Sequence, residues 1–156
     1  MPGEALWPFA LEVYSRPGAE AIFLELQDAH GQCVPFLIWS LWLAAEGRAA
    51  DDDSLGDAAA LARAWQDAAV EPLRDLRREL KRPAASRLAR SRKQLRARVQ
   101  TLELEAERML LQMLQAQSPA PGGSPGDPLA SLARAVRAWG GAPPARLLAR
   151  LVEAQA

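Results

Sequence analysis

Strand-forming residues are scarce in this chain. Its 156 residues include two Ile, six Val and one Thr, against 32 Ala and 24 Leu. So few β-branched side chains cannot fill a sheet, which excludes sandwiches, barrels and doubly wound α/β folds. A single cysteine, Cys33, excludes a disulfide framework and any multi-cysteine metal site. With a single histidine, His30, a His-based metal site would need carboxylates at matching spacing, and none occurs. No apolar run reaches the roughly 18 residues of a membrane span. The acidic start Met1-Pro2-Gly3-Glu4 does not read as a signal peptide. Gly-x-Ser-x-Gly, Gly-x-x-x-x-Gly-Lys and Gly-x-Gly-x-x-Gly after a strand are all missing, so nothing points to a serine nucleophile, a P-loop or a dinucleotide cofactor. What remains, with 49% hydrophobic and 24% charged residues, is a folded all-α chain expected to be cytoplasmic, without cofactor or metal.

Net charge is zero, yet the charges are segregated. Residues 1–73 hold 12 acids and 3 bases, an excess of nine acids. Residues 74–98 hold 11 bases and 2 acids, an excess of nine bases, and the rest is neutral with five of each. Such asymmetry reads as a binding patch for an anionic partner, or as two parts of one fold compensating each other. The 17 Arg to two Lys also fit a GC-rich coding bias, which inflates arginine without functional reason.

Apolar periodicity of about 3.6 residues predicts helices over residues 6–15 and, after Pro17-Gly18, from Pro17 to a stop at Gly31. Residues 33–45 are apolar almost throughout and read as the buried central helix. Ser54 with Asp57 resembles a capping box for the next helix, which Pro72 must kink or restart. The longest helix is expected over residues 84–117. Its heptad seam, Leu88, Leu95, Val99, Leu102, Ala106, Met109 and Met113, suits an antiparallel partner helix from the same chain or from a second copy. Residues 4–117 form the predicted helical core, 118–128 a Pro/Gly-rich flexible linker, and 129–156 a helical hairpin or tail.

The run Leu6-Trp7-Pro8-Phe9-Ala10-Leu11-Glu12-Val13-Tyr14-Ser15-Arg16-Pro17-Gly18-Ala19 comes first in a set of distinctive strings. Leu26-Gln27-Asp28-Ala29-His30-Gly31 and Leu41-Trp42-Leu43-Ala44 follow it, and Pro72-Leu73-Arg74 with Leu76-Arg77-Arg78 comes later. Together, over roughly the first 82 residues, they resemble the bacterial domain of unknown function family 2390. The resemblance implies small all-helical bacterial proteins and carries no activity with it. The chain departs from the family pattern at Val34-Pro35, where the family commonly has an asparagine.

Two sets of residues carry the functional expectations. The first is a basic helical surface of Arg74, Arg77, Arg78, Lys81, Arg87 and Arg90. Like charges at i, i+4 repel, so such a stripe is relieved by an anion or by acidic residues packed opposite. No aromatic residue lies between Trp65 and Trp139 to stack on a base, which leaves phosphate-backbone contact with structured RNA or docking on an acidic protein. The second is a polar pocket of Tyr14, Gln27, Asp28 and His30, with Trp39 and Trp42, that would suit a small enzyme or ligand-binding protein. Its bland counterpart is a set of side chains that cap the turn at Gly31 around core tryptophans. The acidic run at residues 51–53, with Asp57, fits a helix N-terminus and needs no metal. The long helix is expected to pack through Leu95, Val99, Leu102 and Met109, leaving its basic first half solvated.

Overall fold

A helix that is apolar on every side belongs in the middle of a domain. In the computed structural model, which describes residues 5–142 and 144–156, that place is taken by α3 (Val34–Ala45), of which only Ala45 is exposed. Against it pack α1 (Leu6–Ser15), α2 (Ala19–His30), α4 (Asp52–Trp65), the second half of α6 (Ser86–Ala116) and α7 (Pro128–Trp139), while α8 (Ala145–Gln155) packs on α2 and α7. No strand occurs among the described residues. The fold is an all-α bundle, and no helix of the described residues is long and apolar enough to cross a membrane.

Local chemistry explains most helix ends, with two differences from the sequence reading. Helix α2 starts at Ala19, not Pro17, because Gly18 takes the left-handed conformation at φ 83°. Helix α4 starts two residues before the expected Ser54 cap: the Asp51 carboxylate accepts from the Ser54 backbone N–H at 2.7 Å. That bond holds the Asp51 carboxyl below its usual range. Pro72 acts as anticipated on the helix that contains it. The π-helical segment Gln66–Val70 separates α4 from α5 (Glu71–Lys81), with Pro72 in the first turn of α5. A widened turn accommodates a proline ring that would clash with the carbonyl four residues earlier.

Composition makes residues 118–128 look free, but they are strapped to the bundle. Trp39 Nε1 donates to Ser118 Oγ at 2.8 Å, and Arg48 Nη1 to the Pro119 carbonyl at 2.7 Å. The backbone N–H of Gly123 donates to Gly47 O at 3.0 Å and that of Gly126 to Ala44 O at 2.8 Å. Gly47 has φ 62°, and a Cβ there would stand 2.0 Å from Gly123 O. Only glycine fits that crossing. The strap delivers α7 onto α3 and α4, where Leu132, Ala135, Val136 and Trp139 are buried. Trp139 Nε1 donates to Gly31 O at 2.8 Å, while the Arg63 guanidinium lies 4.0 Å from the Trp139 ring centroid. The hairpin α7–α8 is part of the core.

Candidate functional site

Helices α5 and α6 form an antiparallel hairpin whose distal part stands clear of the core. No residue from 81 to 98 is buried, whereas Val99, Ala106, Leu110, Leu111 and Leu114 are. The expected seam is therefore only partly used. Val99 and Ala106 are buried and Met113 is partly so, but Leu88, Leu95, Leu102 and Met109 remain 47–49% exposed. The buried face of α6 is rotated from the expected seam onto Val99, Ala106, Leu110 and Leu114, because α5 and the core meet it from that side. The four exposed residues recur every seven positions and form one row, which drifts slowly around the helix. On α5, Leu76 is also exposed, at 42%.

The basic residues divide into two groups. Arg74, expected on the solvent face, is buried: Glu71 accepts from Nη1 at 2.6 Å, Glu103 from Nε at 3.2 Å and Glu107 from Nη2 at 3.5 Å. Arg77 joins it through Glu103, at 2.6 Å, and that partner raises the Arg77 pKa. These two arginines hold α5 on α6 and are spent on internal contacts. Arg78 pairs with Asp75 and Arg82 with Glu79 along the exposed edge of α5. Lys81, Arg87, Arg90, Lys93 and Arg98 have no carboxylate within ion-pair distance among the described residues. Arg92 donates to the Glu79 carbonyl at 2.6 Å, which leaves its charge uncompensated. Among the described residues, none of the six basic residues at 87, 90, 92, 93, 96 and 98 pairs with an acid of the N-terminal part.

The second set of expected residues does not converge on one pocket. Trp39 and Trp42 are core residues, with Arg48 4.4 Å from the Trp42 ring centroid. Asp28 and His30 are exposed, and Gln27 donates to Asp28 at 3.3 Å. The buried polar residue of that turn is Gln32, which donates to the His30 carbonyl at 3.3 Å and whose Oε1 has no hydrogen-bond partner among the described residues. Tyr14 is elsewhere, stacked on Phe23 with ring centroids 5.6 Å apart, and desolvation raises its pKa.

Tyr14 does line a cleft, one the sequence did not reveal. It measures about 170 Å³ and lies between α1, the start of α3, and α6. Its walls include Trp7, Leu11, Tyr14, Pro35, Leu104 and Leu111, and among the described residues Glu107 is the one charged lining residue. Burial pushes the Glu107 carboxyl up to about 7, with Arg74 opposing and Glu103 reinforcing the rise. Nearby Cys33 is buried, and its thiol is pushed up to about 12, so it stays protonated. Glu103 and Glu107 were legible only as an i, i+4 acidic pair beside the seam. Among the described residues no group of His, Cys, Asp and Glu could hold a metal ion.

An all-α bundle with a basic helical arm and an acid-walled apolar cleft defines the class. The model of a family described as a protein of unknown function (DUF2390) matches residues 5–114, and the chain belongs to that family. The match runs from α1 nearly to the end of α6, well past the strings that first suggested it, and stops before the strap and α7–α8. No curated protein and no solved structure gives a significant match to the chain.

Proposed function

We propose that this protein is a non-enzymatic docking module of the bacterial cytoplasm, which binds an acidic protein surface through the α5–α6 arm. The observation that carries the reading is the row Leu88, Leu95, Leu102 and Met109, about half exposed and bordered by Arg87 and Arg98, which have no ion-pair partner among the described residues. Apolar rows of this length on a charged helix offer the anchors an amphipathic partner helix uses, and the arginines favour one with acidic flanks. A phosphate backbone would use the arginines but gain nothing from the leucines, so protein is preferred to structured RNA. Arg74 and Arg77 fall outside the proposed surface because they are tied to Glu71, Glu103 and Glu107.

The test is site-specific photo-crosslinking from position 95 in bacterial cells, with two variants as controls. The expected result is an acidic protein adduct, lost on Leu88→Asp and on combined Arg87→Glu and Arg98→Glu substitution. Adducts unchanged by both variants would overturn the reading. Recovery of RNA, sensitive to the arginines alone, would replace it with the RNA reading, and adducts of the chain with itself would indicate a homodimer through residues 88–113.

A further inference from the structure

We propose that the cleft between α1, the start of α3, and α6 binds a small organic cation: an ammonium group on a single ring or short aliphatic body, with Glu107 as its counter-ion. The site lies apart from the exposed face of the arm and does not depend on the docking role.

Volume limits the guest first. About 170 Å³ is close to the roughly 150 Å³ that accommodates one benzene-sized molecule. The lining then sets its polarity. Leu11, Leu104 and Leu111 offer only apolar contact, so most of the guest must be hydrocarbon. Trp7 and Tyr14 bring aromatic rings, which attract cations electrostatically. Trp7 already has the Arg108 guanidinium 5.0 Å from its ring centroid, and Arg108 itself is not in the cleft lining.

Charge selects the sign. Around Arg74 two guanidiniums, Arg74 and Arg77, meet three carboxylates, Glu71, Glu103 and Glu107, which leaves one negative charge in excess. The excess falls on Glu107. Glu71 and Glu103 hold arginine nitrogens at 2.6 Å, whereas Glu107 has a single contact, at 3.5 Å from Arg74 Nη2. Among the described residues its other oxygen has no donor, although the side chain is only 27% exposed. A partly desolvated carboxylate with a spare acceptor gains from a cation that fills the apolar space beside it. A neutral guest offers that carboxylate at most an uncharged hydrogen-bond donor, weaker than an ammonium, and an anionic guest is repelled.

The test uses benzylamine, protonated at about pH 8, against benzyl alcohol of nearly equal size. Binding is followed by chemical shifts of the Trp7 indole and of the backbone amides of Tyr14 and Leu104. The expected result is saturable benzylammonium binding at those signals, about tenfold weaker for benzyl alcohol and for the Glu107→Gln variant. Leu11→Arg, at the exposed rim, places a competing cation at the mouth and should weaken binding as well. Equal binding of the alcohol, equal binding by Glu107→Gln, shifts that map elsewhere, or no saturable binding to the folded wild type would each overturn the proposal.

Discussion

The two halves of α6 share one helix and one heptad rhythm, yet they differ in composition, the first half rich in arginine and the second in leucine and glutamate, and they meet opposite fates. Residues 99–116 place Val99, Ala106, Leu110, Leu111 and Leu114 in the core. Residues 86–98 bury nothing and keep Leu88 and Leu95 about half exposed. The difference lies in what stands opposite. The second half meets α1, α3 and α4, whereas the first half emerges beside α5 alone. An apolar period therefore marks a surface that can be buried, and the neighbours decide whether it is.

Truncation on each half should give the widest contrast. Leu110, fully buried, is expected to cost about 3–5 kcal/mol as Leu110→Ala. Leu95→Ala, on the arm, should change stability by less than about 0.5 kcal/mol. Urea melts of the two variants measure both, and similar costs would mean that the arm is packed in solution.

The junction between the halves is held by Arg74. Replacing it by methionine leaves Glu71, Glu103 and Glu107 facing one another, at a cost of about 2–4 kcal/mol. Hydrogen exchange should then rise in α5 more than in α2 or α3, a pattern that separates loss of the arm from general unfolding. On the opposite side of the bundle, Gly47→Ala forces a Cβ against Gly123 O at a left-handed position. The expected penalty is about 2 kcal/mol, with proteolytic nicking in residues 118–128 as its readout. A stable, uncut variant would show that the strap is dispensable.

Glu107 should make stability depend on pH. Its carboxyl is raised from 4.5 to about 7, so the folded state binds the proton more tightly than the unfolded chain. Its contribution is fully present below about 4.5 and is lost as the pH rises through about 7. With the side chain 27% exposed and Arg74 opposing the shift, the change is expected to be about 1–2 kcal/mol. Urea melts at about pH 5 and about pH 8 should show this loss in the wild type relative to Glu107→Gln, which cannot titrate. Identical pH dependence in the two proteins would remove the assignment. The smallest effect belongs to the basic arm. Raising salt from ~0.1 M to ~0.5 M should increase the melting temperature by about 1–2 °C, because screening relieves repulsion among unpaired cations. A fall would indicate that the arm is compensated.

Much of this protein is a local matter, and the sequence alone determined it. Scarce β-branched residues excluded a sheet, the apolar run at residues 33–45 marked the central helix, and Pro72 announced the break that became the π turn. The family was legible in Trp7, Tyr14 and their neighbours, and the clustering of arginines over residues 74–98 in a charge count. Tertiary structure alone decided which flank of α6 is buried. It also decided that Arg74 faces three glutamates, that residues 118–128 are tied to Gly47 and Ala44, and that Glu107 closes a cleft against Trp7 and Tyr14. Helical period and capping depend on residues within a few positions of one another. Each of the other features joins residues tens of positions apart, through contacts that exist only once the helices have packed.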